Sequence, residues 1–195
     1  MSVPDDVPLR AHEDRALFRE ALAYTAAETG FVARLVEKVY FCTVLLQHLA
    51  AAGARLVFRG GTCLAKVHIG FYRLSEDLDY VIPMATSATR GERSRAAERA
   101  KKAVAAIGKA LSGLRVLEPL IGANASAQYN AAIAYRSLLG PHEETIRIEI
   151  SLREPLLSAA VTGPARTLLL DPISGTTAAP VVPLPCLSRQ EAMAE

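Results

Sequence analysis

The chain has 195 residues, 51% of them hydrophobic and 22% charged, with 22 Lys and Arg against 20 Asp and Glu. That composition excludes a disordered polar segment, and the near-neutral balance lacks the bulk positive charge that announces a nucleic-acid binder. No apolar run nears the ~20 residues that cross a bilayer, and the first residues, MSVPDDVPLRAHEDR, lack the profile of a signal peptide. Three cysteines, odd in number and widely spaced, suit a reducing cytoplasm better than a disulfide framework.

Length allows one domain of ordinary size, or one and a fraction. Residues 1–12, with Pro4 and Pro8, read as a mobile arm. From Glu13 to about Glu28, Leu17, Ala21 and Tyr24 recur at helical spacing among charges, and Thr29-Gly30 closes that helix. Phe31 to Ala52 is a second and more apolar helix, with Leu35, Val39, Cys42, Leu45, Leu46 and Leu49 on its buried stripe.

The stretch from Leu56 to Pro83 carries the chemistry. Leu56-Val57-Phe58 reads as a buried strand stopped by Gly60-Gly61, which opens a short helix from Cys63 to Ile69 with Thr62 as its N-cap. Ser75-Glu76-Asp77 then leads into the strand Leu78-Asp79-Tyr80-Val81-Ile82. Asp77 and Asp79 are two apart, so both carboxylates project from one face of the strand while Leu78 and Tyr80 take the other.

After a small-residue loop, Arg90 to Leu114 reads as a long helix with Ala100, Val104, Ile107 and Leu111 buried. Its other side is basic, through Arg90, Arg93, Arg95, Arg99, Lys101, Lys102 and Lys109; this is either a solvated face or a surface for RNA or pyrophosphate. Arg115–Leu120 and Gln128–Tyr135 read as strands. Thr145 to Ser151 alternates cleanly, with Ile146, Ile148 and Ile150 on one face and Arg147 and Glu149 on the other. Thr167–Leu170 reads as one more strand, residues 178–185 as an extended loop, and Leu187 onward as the start of a helix.

Free backbone N–H groups at a helix start donate hydrogen bonds to phosphate, and glycines let the phosphate come close. Two carboxylates on one strand face offer hard oxygen ligands to Mg²⁺, and Glu149 supplies a third if its strand lies beside them. Plain roles stay open: Gly60-Gly61 as a tight turn, Asp77 and Asp79 as strand-edge charges, and Glu149 as a surface acid opposite an Arg. Glu76 points away from Asp77 and reads as exposed or as a structural partner. Gly-Gly-Thr-Cys-Leu-Ala-Lys is not a Walker A loop, since Val67 stands where Ser or Thr would hold Mg²⁺. Lys66 is therefore read as a surface helix residue with a triphosphate contact open to it, and Lys38 and Arg73 as ion-pair partners. His12, His48, His68 and His142 show no ligand spacing with one another or with the cysteines, which argues against zinc.

Phe58-Arg59-Gly60-Gly61-Thr62-Cys63-Leu64-Ala65-Lys66, then Arg73-Leu74-Ser75-Glu76-Asp77-Leu78-Asp79, then the Glu149 strand, resembles the AbiEii/AbiGii-type toxin family within the DNA polymerase β-like nucleotidyltransferase superfamily. The Phe31-Val32 to Glu37-Lys38-Val39-Tyr40 stretch fits that family too, which usually shows Asp where Val39 stands. The resemblance implies an α/β (α+β) nucleotidyltransferase domain over residues 13–186, with a mixed sheet and helices mainly on one side. It also implies a two-metal Mg²⁺ site on Asp77, Asp79 and Glu149, and an NTP held through Gly60, Gly61, Thr62, Lys66 and Ser75. The reaction implied is attack of an acceptor hydroxyl on the α-phosphate with loss of pyrophosphate, and the acceptor in some members is tRNA. The role implied is that of a cytoplasmic toxin in a toxin–antitoxin or phage-defence pair, with an antitoxin as partner. Residues 187–195 look like the start of a helical C-terminal region that the family continues, which implies a truncated chain. Two other readings compete: a nucleotide-binding protein without transfer activity, and an antitoxin-binding module with a vestigial acidic cluster.

Overall fold

A computed structural model describes residues 10–72, 74–152 and 155–195. Helix α1 spans Arg15–Thr29, its first turn capped by the Asp14 carboxylate and its end closed by Gly30 in the left-handed conformation. Helix α2 spans Ala33–Ala51. Both agree with the sequence periodicity, but α1 buries Phe18, Ala21, Leu22 and Thr25 and leaves Leu17 exposed, so its apolar stripe starts one residue later than expected. Most of the expected mobile arm, residues 1–9, lies outside the described residues. Its end is ordered: Ala11–Glu13 form a 3₁₀ turn, and the His12 ring bonds the Tyr40 hydroxyl at 2.8 Å and Ser112 O at 3.0 Å.

Among the described residues, seven strands make one mixed sheet: β1 Val57–Arg59, β2 Leu78–Val81, β3 Leu114–Ala123, β4 Gln128–Arg136, β5 Glu143–Ser151, β6 Val161–Ala165 and β7 Val182–Cys186. Their order is β3-β4-β5-β2-β1-β7-β6, with β2 parallel to β5, β1 parallel to β7, and the other pairs antiparallel. The strand alternation decides which face is dry. Ile146, Ile148 and Ile150 are fully buried beside Phe58, Tyr80, Ile133 and Tyr135, and α1, α2 and α4 (Arg90–Ala110) cover that face. Phe41 of α2 stacks on Tyr135 with ring centroids 4.2 Å apart. No helix among the described residues is long and apolar enough to cross a membrane.

Two sequence expectations fail at the C-terminal edge. Thr167–Leu170 is not a strand and, among the described residues, makes only one bridge, Leu170 to Thr177, while residues 182–185 of the stretch read as a loop belong to β7. The prolines hid it. Pro183 and Pro185 share alternate positions with Leu187, whose N–H donates to Phe58 O, so the missing N–H groups face the three-residue β1. The antiparallel ladder to β6 is kept, and Val182, Leu184 and Cys186 point into the core.

The basic side of α4 is partly spent on local structure. Arg93 donates to Ala88 O and Ala125 O, Arg99 to Gly53 O, and Lys101 pairs with Glu98. The helix lies on the sheet face of Tyr80 and Ile148, opposite that of Asp79 and Glu149, so a pyrophosphate contact from this helix is set aside. Lys38 does pair with Glu76, at 2.7 Å, as expected. Arg73 lies outside the described residues.

Lys66 overturns its expected surface position. The short helix after the glycines runs α-helical over Gly60–Cys63 (α3) and then π-helical over Leu64–His68. Lys66 follows the buried Thr62 and Cys63 by four and three residues, on their side of the helix, and is 1% exposed. Its amine donates to Val39 O at 2.9 Å, Thr43 Oγ1 at 2.6 Å and Arg166 O at 3.3 Å, which offsets part of the cost of burial. Burial holds its pKa down to about 8, against 10.5 for a free side chain. Between those values the unfolded chain binds the extra proton, so this group makes stability rise with pH. Urea unfolding across pH 7 to 10 should show the wild type gaining on Lys66→Met by about 1 kcal/mol per pH unit above pH 8. A stability difference independent of pH would show that the amine carries no burial penalty.

Candidate active site

Strand register puts four polar side chains in one row across the sheet. Arg59 on β1 pairs with Asp79 on β2, Asp79 with Glu149 on β5, and Glu149 with Asn130 on β4. Directly paired residues point to the same face, so all four stand on the side away from the dry core. Asp77, two residues before Asp79 and exposed, joins them at the start of β2. Three carboxylates therefore crowd one patch, and among the described residues no salt bridge links any of them to a basic side chain. Partial burial, then the nearby charges of Glu149 and Asp77, push the Asp79 pKa above its ordinary value, against an opposing pull from Arg59.

The glycine turn comes close to this row. Gly60 has φ +73°, and a Cβ built there would lie 2.4 Å from Asp79 Oδ2. Glycine is required at 60 on both counts: the left-handed backbone and the close approach. Gly60 N–H donates to Glu195 Oε2 at 3.3 Å, and Arg59 pairs with Glu195 Oε1 at 2.5 Å. Glu195 closes helix α5 (Arg189–Ala194), whose Ala192 packs with Leu187 on Val57 and Val81. These two valines lie two residues from Arg59 and Asp79 on the same face, so α5 forms a wall of the site. Ser188 caps α5, and its Glu191 accepts from Leu157 N, Ser158 N and Ser158 Oγ. Between α5, the glycine turn and the row lies a cleft of about 580 Å³, reached by Gly60, Gly61, Asp79 and Glu149. A second hollow, of about 790 Å³, lies along β4 and β5 and is reached by Asp77 and Glu149.

The expected nucleotide-binding residues divide. Gly60 and Gly61 line the cleft. Thr62 does not cap the helix, since Arg59 holds the N-cap position. Thr62 is 1% exposed and its hydroxyl donates to Asp77 O at 2.6 Å, which ties the turn to the start of β2 and removes the hydroxyl from phosphate binding. Lys66 points its amine into the core for the reason given above. Ser75 is half-buried in the irregular segment before β2 and does not line the cleft.

Sequence reasoning missed Arg59 and Asn130, which share the carboxylate row. Arg59 sits immediately before the glycine pair, and counting back from Asp79 through an antiparallel β1–β2 pairing would have found it. It also missed Cys63, His68 and Cys186, whose ligand atoms all lie within 4.8 Å of one another.

Residues 44–195 match the family model described as nucleotidyl transferase AbiEii toxin, type IV toxin–antitoxin system. No curated protein sequence matches the chain. Among solved structures, the crystal structure of JHP933 from Helicobacter pylori is similar at 18% identity and a TM-score of 0.48, over 81% of this chain and 55% of that one. A candidate nucleotidyltransferase from H. pylori is similar at 18% identity and a TM-score of 0.45, over 77% of this chain and 53% of that one. The chain thus spans about half the length of these two.

Gly60→Ala should destabilise the fold by more than the ~1–2 kcal/mol of a left-handed alanine, because the new methyl also meets Asp79. In an Asp79→Ala background the cost should fall by about 1 kcal/mol, as a double-mutant cycle in urea would read. Additive costs would place the Asp79 side chain away from Gly60.

Proposed function

The chain belongs to the AbiEii nucleotidyl transferase toxin family, a family of nucleotidyltransferases, and from that premise we propose that its cleft transfers a nucleoside monophosphate from an NTP to an acceptor hydroxyl. The observation that carries this reading is the register of β2 with β5, which sets Glu149 opposite Asp79 beside Asp77. Such a cluster of carboxylates, which no salt bridge among the described residues neutralises, is a donor set of hard oxygens, as Mg²⁺ requires. Asp77, Asp79 and Glu149 would hold Mg²⁺, whose charge, when bound, activates the acceptor oxygen and stabilises the leaving pyrophosphate.

The chain's own groups supply the rest. The Glu195 carboxylate on Gly60 N–H and Arg59 stands where an anion binds, and we read those two donors as the seat of NTP phosphates, which would displace it. Gly61 presents backbone to the same space, and its lack of a side chain permits close approach. Glu149, at the edge shared by the two hollows, is placed to accept the proton of an acceptor hydroxyl arriving along β4 and β5. The second hollow has the room for that acceptor, and tRNA is the acceptor to test first. The family match supports reading a cognate antitoxin as partner, and we extend it to a cytoplasmic setting.

Asp79→Asn separates this reading from a structural role. Without metal the substitution removes charge crowding and should raise stability by a few tenths to about 1 kcal/mol near pH 7. It should also abolish the rise in Tm that Mg²⁺ with NTP gives the wild type. Transfer of label from α-labelled NTPs to total bacterial tRNA should fall by at least about 100-fold in the same variant. A Tm rise with no labelled product would leave nucleotide binding without transfer; neither signal in the wild type would overturn the proposal.

A further inference from the structure

Behind the glycine turn, on the dry side of the sheet, the fold assembles soft donors that the nucleotidyl-transfer reading does not use. Cys63 ends α3, His68 ends the π-helical turn, and Cys186 ends β7. One ligand atom from each lies within 4.8 Å of the others; both thiols are fully buried and the imidazole is half-buried. Neither thiol is in a disulfide. Two features prepare the set. The π-helical register brings residues five apart onto one side, which a regular helix would not do for Cys63 and His68. His68 Nε2 bonds Leu187 O at 2.9 Å; a carbonyl only accepts, so Nε2 carries the proton and the lone pair rests on Nδ1. A backbone carbonyl holding one ring N–H is the usual support of an imidazole that binds metal through its other nitrogen.

We propose that Cys63, His68 and Cys186 form a structural site for Zn²⁺. Two S–Zn bonds and one N–Zn bond form, the two thiol protons leave to solvent, and a fourth position remains for water. Tetrahedral Zn²⁺ wants ligand atoms ~3.5–3.8 Å apart, a contraction of up to ~1.3 Å from a spacing within 4.8 Å. Buried sulfur and nitrogen donors select against Mg²⁺, which keeps this site chemically distinct from the carboxylate row. Its place gives it a purpose. Cys63 follows Gly60-Gly61-Thr62 directly, Cys186 pairs with Phe58 in the sheet, and Leu187 begins the approach to α5. A cation here clamps the glycine turn to β7 and to the wall of the cleft.

The test uses the chain purified under reductant, stripped with chelator and reloaded with Zn²⁺ or Co²⁺. One Zn²⁺ per chain is expected, with Tm raised by ~5 °C or more at 100-fold over Kd. Co²⁺ should show the sulfur-to-metal charge-transfer band of thiolate ligation. His68→Ala, at a half-exposed position, should keep the fold and weaken binding at least about tenfold, while Cys186→Ser should lose half of the sulfur band. Zn²⁺ well below one per chain overturns the proposal. So does Co²⁺ bound without a sulfur band, which would put the ion on Asp77, Asp79 and Glu149, as does affinity unchanged in His68→Ala.

Discussion

Parallel pairing of β2 with β5 sets a carboxylate against a carboxylate. Like charges directly opposite in a sheet destabilise it, and this pair has a third acid beside it and a partly dry wall behind. A fold keeps such a patch only because the other face of the same two strands is strongly favourable: Leu78, Tyr80, Ile148 and Ile150 are buried under three helices. Side-chain alternation makes the two faces inseparable. A one-residue slip of either strand would turn its acid toward the core and expose its apolar side chains. The unfavourable row is thus held by the apolar one.

The rest of the cleft is arranged around that row. Gly60 is bare because Asp79 occupies the space a side chain would need, and Thr62 turns its hydroxyl to Asp77 O, so the turn and the acidic strand hold each other in place. Helix α5 is docked by Ala192 on the valines and by Glu191 on the Leu157–Ser158 backbone. Its Glu195 then reaches Arg59 and Gly60 N–H. An anion at those two donors balances the positive end of the row, as the carboxylates supply the negative end.

Under the sheet, several buried polar groups do structural work through backbone or side-chain partners, whereas the buried Tyr135 hydroxyl has no partner among the described residues. Glu37 accepts from Ser137 Oγ and Leu138 N and fixes the turn between β4 and β5. Arg34 grips Glu144 with two hydrogen bonds, fastening the start of α2 to β5. Lys66 binds three oxygens from α2 and the segment after β6. These contacts lock the helical layer to the strands that carry Asp79 and Glu149, and loss of one partner would leave a charge stranded in the core.

Much of this was legible in the chain. Helical spacing located α1, α2 and α4, and strict alternation located β5 and put Glu149 opposite its isoleucines, because both periods are local properties of the backbone. The Gly-Gly turn and the two-residue spacing of Asp77 and Asp79 announced the site for the same reason. What the sequence left open depended on partners distant along the chain. Proline punctuation concealed β7, since only a short neighbour makes the missing N–H groups harmless. Lys66 turned inward with Thr62 and Cys63 because its partners on α2 and after β6 are distant in the chain, and a π-helical turn set His68 beside Cys63, where a 3.6-residue period does not. Arg59 and Asn130 entered the row only through strand register, and Cys186 reached Cys63 only by crossing the sheet. The sequence by itself determined which residues alternate and which turns need glycine, as these are set within a few residues. The tertiary structure alone decided which carboxylate faces which, and which donors meet, because register and crossover bring together atoms that no local rule relates.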